Sequence, residues 1–174
     1  MTLAGDLSVS VVVCTYTERR WKELQAGVAA VLRQLRSGDE LIVIVDHAPD
    51  VLDRARVEFP GIRVEPNVHG QGLSGARNTG VDVADGDIVA FLDDDATPGD
   101  GWLESLRMPF AGQDVLGVAG RVEPAWEGGR APRWFPPEFG WVVGCDYVGL
   151  PGGGEQVRNP IGASMALRRL PLEA

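Results

Sequence analysis

A chain of 174 residues, 44% hydrophobic and 24% charged, has the size and composition of one folded domain, which excludes a collagenous, repeat or disordered protein. Its formal net charge of −9, from 25 acidic and 16 basic residues, sets up a field that repels a phosphate backbone and argues against nucleic acid as a partner. Cys14 and Cys145 have no Cys-X-X-Cys spacing, the start MTLAGD has no basic leader, and no apolar run approaches the roughly 20 residues that span a bilayer, so a cytoplasmic protein without disulfide, zinc framework or transmembrane segment is expected, with peripheral membrane contact left open.

Val9 to Cys14 is short, β-branched and apolar apart from Ser10, the signature of a strand buried on both faces of a parallel sheet. Trp21, Leu24, Val28, Val31 and Leu35 then recur at helical spacing, and Ser37-Gly38 supplies a stop. A second buried strand is expected over Leu41 to Val45, a short helix around Leu52 to Arg56, and a short strand from Ile62 to Pro66. Ser74 to Ala84 reads as a helix of small residues, closed by Asp85-Gly86, and Ile88 to Leu92 as a fourth strand. A helix around Trp102 to Met108 and a strand around Val115 to Val122 follow. From Pro124 to Pro160 the character shifts to Pro, Gly and Trp, the composition of a long functional loop region with Gly152-Gly153-Gly154 as a flexible point.

Alternation of strand and helix predicts an α/β fold with a mostly parallel sheet, whose ligands bind beyond the carboxyl ends of the strands. Chemically distinctive residues stand at those ends: Thr15-Tyr16-Thr17-Glu18, Asp46-His47 and Asp93-Asp94-Asp95. Three adjacent carboxylates repel one another unless a cation or solvent offsets them, and carboxylate oxygens suit Mg or Mn; a solvated acidic turn is the simpler alternative. Gly70-Gln71-Gly72-Leu73-Ser74-Gly75 matches the G-x-G-x-x-G dinucleotide fingerprint. Its glycines do not follow the first strand, however, and a ribose-binding acid needs one carboxylate, not three. Arg77 stands near a helix start where it can face a diphosphate, or simply pair with an aspartate. His47 and His69 lack metal-ligand spacing.

In order and spacing, SVVVCTYTERR, IVIVDHAPD, GLSGARNTGVDVADGDIVAFLDDDATPGDGWLESL, GRVEP and NPIGASMALRR resemble family 2 glycosyltransferases over almost the whole chain. The resemblance implies a GT-A fold, Rossmann-like, and a single domain over residues 1–174. Residues 1–123 would form the nucleotide-sugar-binding half, and residues 124–174 the acceptor-side loops and the start of a carboxyl-terminal part. It implies a UDP- or GDP-linked sugar as donor, a saccharide or lipid-linked acceptor, inversion at the anomeric carbon, and Mn or Mg as cofactor. Thr15, Tyr16, Glu18, Asp46, Arg77, Asp93 and Asp94 would bind the nucleotide sugar, and Asp95 with Asp93 would hold the metal. His47 departs from the asparagine often found after the strand-end aspartate, and Ser164 from another asparagine. The general base expected of the family would come from an acid-bearing helix beyond Ala174. Asp146, Glu155 and Glu173 are available carboxylates, with nothing to choose between them. The alternatives are a donor-binding fragment without catalysis and, further off, an NAD-linked oxidoreductase. Trp126, Trp134 and Trp141 are open to sugar stacking, or to ordinary core filling and loop anchoring.

Overall fold

A computed structural model describes residues 7–169, in which six strands form one sheet of order β3-β2-β1-β4-β6-β5. Strands β1 (Val9–Thr15), β2 (Glu40–Val45), β3 (Arg63–Pro66) and β4 (Ile88–Asp93) run parallel. Strand β6 (Ser164–Arg168) lies antiparallel to β4, and β5 (Gly117–Ala119) antiparallel to β6.

Central strand β1 is in register with both neighbours, Val11 facing Leu41 on one side and Ala90 on the other. Alternate residues go to opposite faces. Val9, Val11, Val13, Leu41, Val43, Val45 and Ala90 join one core, against helices α1 (Trp21–Leu32), α2 (Pro49–Glu58) and α4 (Trp102–Arg107). Val12, Ile42, Ile44, Val89 and Phe91 join a second core beneath helix α3 (Leu73–Val83). Because both faces are covered, neither strand face needs polar residues, which is why the sequence shows continuous apolar runs.

The expected stripe Trp21, Leu24, Val28 and Val31 is buried along α1, but the helix ends at Leu32, before Leu35. Pro49 opens α2, where its missing N–H costs nothing. Helix α3 buries Ala76, Thr79 and Gly80; a Cβ at Gly80 would collide with the Val12 side chain, so glycine sets how closely α3 lies on β1.

At the amino ends of the strands, the Arg107 guanidinium pairs with Asp39 at 2.5 Å, with only 1% and 2% of the two side chains exposed. Asp39 also accepts the Val9 and Arg36 N–H groups, at 3.0 and 2.9 Å. This buried knot fastens α4, the start of β1 and the α1–β2 turn together.

Two parts differ from the sequence expectation. The strand expected over Val115 to Val122 is only the three residues of β5, and β6 was not anticipated as a strand at all. The segment from Pro124 to Pro160 contains one 3-10 stretch, Pro137–Val143, and leaves Trp134 79% exposed.

Candidate functional site

The carboxyl ends of β1, β2 and β4 open on a cleft of about 470 Å³. Thr15 and Tyr16 from the end of β1, Asp46 after β2, and Asp93 and Asp94 at the end of β4 all line it. So do Cys14, Arg20, Gln71, Gly72, Leu73 and Ala76, most of which the sequence did not single out for this role. Arg77 and Asp95 stand beside the cleft through their contacts with Asp93 and Arg20. Glu18 turns away, half-exposed and 3.5 Å from Arg54. Its neighbour Thr17 caps the 3-10 turn Glu18–Arg20 by accepting the Arg19 N–H.

Asp46 is the hub of the β2 side. Its Oδ1 accepts from Asn67 Nδ2 at 2.7 Å and lies 2.7 Å from His47 Nδ1, while Oδ2 accepts the Gly72 N–H at 2.9 Å. Burial works against the charged carboxylate, but these hydrogen bonds outweigh it and hold the carboxyl below its ordinary range. His47 adopts φ 50°, a left-handed conformation more accessible to Asn or Gly. Asn67 and Thr79 complete the network, Thr79 donating to Asn67 Oδ1 at 2.8 Å. Asn67 was not anticipated from sequence.

The G-x-G-x-x-G segment therefore has a structural role in this network. It connects β3 to α3, and Gly72, at φ 124° and ψ 165°, takes a backbone conformation that side chains avoid while donating to Asp46.

On the β4 side the three aspartates have three different environments. Asp93 Oδ1 accepts from Arg77 Nη2 at 3.1 Å, and the same nitrogen donates to the Gly162 carbonyl at 2.9 Å. Burial pushes the Asp93 carboxyl up; Arg77 opposes this, while Asp95 and Asp94 reinforce it. Asp94, only 5% exposed, accepts from Thr15 Oγ1 and from Arg20 Nη1, each at 2.9 Å. Asp95 is 48% exposed and lies 3.2 Å from the same Arg20 nitrogen. Cys14, between these groups, has its thiol pushed up to about 12 by burial.

Among the described residues no three His, Cys, Asp or Glu side chains are gathered as a ready-made metal cage. A magnesium-type ion does not require one, since it takes one or two carboxylates and fills its shell with water and phosphate oxygens. Asp93 and Asp95 fit that donor set: both offer carboxylate oxygens, and Asp95 is half-exposed to solvent.

A second hollow, of about 770 Å³, lies between β5 and the segment from Leu150 to Ile161, with Asp146 and Glu155 in its wall. Trp126, Trp134 and Trp141 do not line it; Trp126 packs edge-on against Phe135 at 4.9 Å, and Trp141 is exposed. Glu173 lies outside the described residues.

The family model for glycosyl transferase family 2 matches residues 10–173. The chain is 37% identical over 167 residues to a glucosyl-dolichyl phosphate glucuronosyltransferase of Haloferax volcanii, covering 94% of this chain and 53% of that protein. It is 33% identical over 92 residues to the Escherichia coli UDP-Glc:alpha-D-GlcNAc-diphosphoundecaprenol beta-1,3-glucosyltransferase WfgD, covering 52% and 36% of the two chains. Among solved structures, a mannosyltransferase from Pyrobaculum calidifontis in complex with GDP-Man and Mn2+ superposes with a TM-score of 0.66 at 21% identity, over 95% of this chain and 45% of that one. Staphylococcus aureus TarS superposes at 0.62 with 15% identity, over 96% and 48%. The chain thus spans about half the length of the Haloferax relative and of these two structures, and its fold is GT-A.

Proposed function

The chain belongs to glycosyl transferase family 2, and on that premise we propose that its 470 Å³ cleft binds a UDP- or GDP-linked sugar with Mn or Mg, for transfer with inversion to a saccharide or lipid-linked acceptor. The observation that carries this reading is the gathering of Asp46, Asp93, Asp95 and Arg77 around one cleft at the strand ends, from separate stretches of sequence. The Pyrobaculum mannosyltransferase, a complex with GDP-Man and Mn2+, supports the class of donor and the metal.

In this scheme Asp46 receives the nucleoside. Its Oδ2 accepts one N–H and has a lone pair left for a base or ribose donor. Tyr16, exposed at the cleft mouth, offers a ring face to the base. Arg77 lies over the Phe91 ring with its guanidinium 5.5 Å from the centroid, and presents positive charge toward the diphosphate from a position fixed by Asp93 and Gly162. Asp95 and Asp93 would hold the metal, which when bound supplies charge neutralisation to the diphosphate leaving group. Asp94 would act through Thr15 and Arg20, keeping the ends of β1 and β4 in place.

Inversion requires the acceptor hydroxyl to approach the anomeric carbon opposite the diphosphate, with a carboxylate to take its proton. The 770 Å³ hollow is the acceptor side in this reading, and residues 1–123 the donor half of one domain. A lipid-linked acceptor, of the kind for which the Haloferax and Escherichia relatives are named, would put the protein at the cytoplasmic face of a membrane. No helix among the described residues is long and apolar enough to cross one.

Calorimetric titration with UDP and GDP, each with and without Mn2+, tests the donor site beside an Asp95→Ala control. Metal-dependent binding of one nucleotide, lost in the variant, is expected. A folded chain that binds neither nucleotide, or binds one equally well without metal and in the variant, refutes the assignment.

A further inference from the structure

Arg20 stands between the second and third aspartates of the β4 end. Its Nη1 spans Asp94 Oδ1 at 2.9 Å and Asp95 Oδ2 at 3.2 Å, so one guanidinium bridges two adjacent carboxylates. Among the described residues its ion pairs run through this nitrogen, and the side chain is 44% exposed on the cleft wall. The remaining N–H donors of a guanidinium, which has five in a planar fork, are thus available to a ligand in the cleft. Asp94 has both oxygens occupied, one by Thr15 and one by Arg20, and is buried; it anchors the arginine and does not take part in binding itself. Asp95 is the opposite case, half-exposed with Arg20 as its ion-pair partner.

We propose that Arg20 acts as a built-in counter-ion that occupies Asp95 until a divalent cation takes that carboxylate, and then, still pivoting on Asp94, turns its free donors to the donor diphosphate. This rests on the donor-site reading for Asp95. The physical reason is charge balance. A guanidinium and a divalent cation on the same carboxylate repel each other, so the cation displaces the arginine from Asp95, and the nearest unpaired anion is then the incoming diphosphate. Arg77, held by Asp93 and the Gly162 carbonyl, pairs with a different carboxylate and so does not compete for Asp95. Asp94 makes the exchange a rotation about a fixed point, so the arginine is not released to solvent.

The consequence is a pair of effects of opposite sign. Replacing the arginine by an uncharged side chain of similar length, Arg20→Gln, removes the competitor for Asp95 and also removes a ligand for the diphosphate. Mn2+ titrated alone into Arg20→Gln should bind about 5- to 50-fold tighter than to the wild-type chain, while UDP or GDP at saturating Mn2+ should bind weaker by a similar factor. A merely structural arginine would lower both affinities together or change neither. As a measurement that needs no folded variant, Mg2+ is titrated into the wild-type chain and the side-chain Nε–H resonance of Arg20 is followed by NMR; it should shift with the same saturation curve as metal binding. Unchanged or weakened Mn2+ affinity in Arg20→Gln overturns the proposal, as does unchanged nucleotide affinity, or an Arg20 resonance that stays fixed while Mg2+ saturates the site. If the wild-type chain binds no nucleotide with Mn2+, the donor-site reading itself fails and this proposal with it, whereas nucleotide binding that Arg20→Gln leaves untouched refutes this proposal alone.

Discussion

Replacing Asp46 by asparagine keeps the shape of the side chain and removes its charge, which makes it a direct test of the hub at the end of β2. The amide oxygen can still face His47 and Asn67, the two partners of Oδ1, but those bonds fall from charge-assisted to neutral. On the other side the amide NH2 meets the Gly72 N–H, donor against donor, where Oδ2 accepted at 2.9 Å. A partly buried donor left unsatisfied costs about 1–3 kcal/mol, and weakening two charged bonds adds to it, so a net loss of about 2–4 kcal/mol is expected. For a chain of this length that corresponds to about 5–12 °C in Tm. The assay is urea denaturation of both proteins without nucleotide, at pH 7, 5 and 3. Because the folded Asp46 carboxyl sits below its ordinary range, its contribution is complete above the unfolded value of about 3.9 and disappears as pH falls through the folded value. The gap between the two proteins should therefore be full at pH 7 and 5 and narrow at pH 3. A difference under about 0.5 kcal/mol at pH 7, or an equal difference at pH 3, would show that the three bonds do not hold the loop and would remove the basis for the hub.

Arg107→Ala should destabilise the chain by about 3–5 kcal/mol in the same denaturation assay, since Asp39 would be left charged and almost fully buried. A loss under about 1 kcal/mol would mean that water reaches Asp39 freely once the arginine is gone. With a thiol pushed up to about 12, Cys14 should react with iodoacetamide at pH 8 about three orders of magnitude more slowly than an ordinary cysteine, until denaturant is added. Tryptic mapping of the alkylated sites reads this out. The same shift predicts that folding stability falls as pH rises from about 9 toward 12, because the unfolded thiol ionises first.

How far the sequence revealed the fold depended on how each element is buried. Strands β1, β2 and β4 were plain because burial on both faces demands unbroken apolar runs, and α1 was plain because one buried face demands a stripe. Strand β6 was not, since Ser-Met-Ala-Leu-Arg is only partly buried and sits beside a Gly-rich stretch with no turn signal of its own. What makes it a strand is the free edge of β4, a tertiary fact. The site divides in the same way. Asp46 and Asp93-Asp94-Asp95 were conspicuous because charge at the end of an apolar strand stands out in a sequence. Asn67 was hidden, because its partner lies 21 residues away and only the pairing of β2 with β3 brings the two together. Nor could three consecutive aspartates be told apart by sequence, although the end of β4 turns Asp94 inward and leaves Asp95 in water. Arg20 belongs with the hidden residues; two arginines in the first turn after β1 were the available signal, and only the structure pairs the second with the aspartates.

The tryptophans divide by environment. Trp21 is stacked on Phe59 at 5.4 Å in the core, and Trp102 donates to Ser164 at 2.9 Å where α4 meets β6. Trp134 and Trp141 project into water from the long segment after β5. A quencher dissolved in the buffer reaches the second pair and is kept from Trp21, so the protein carries two intrinsic optical probes, one reporting the sheet and its helices and the other the long segment after β5. Motion of that segment can therefore be followed in the unmodified chain, without attaching a dye, and told apart from loosening of the core.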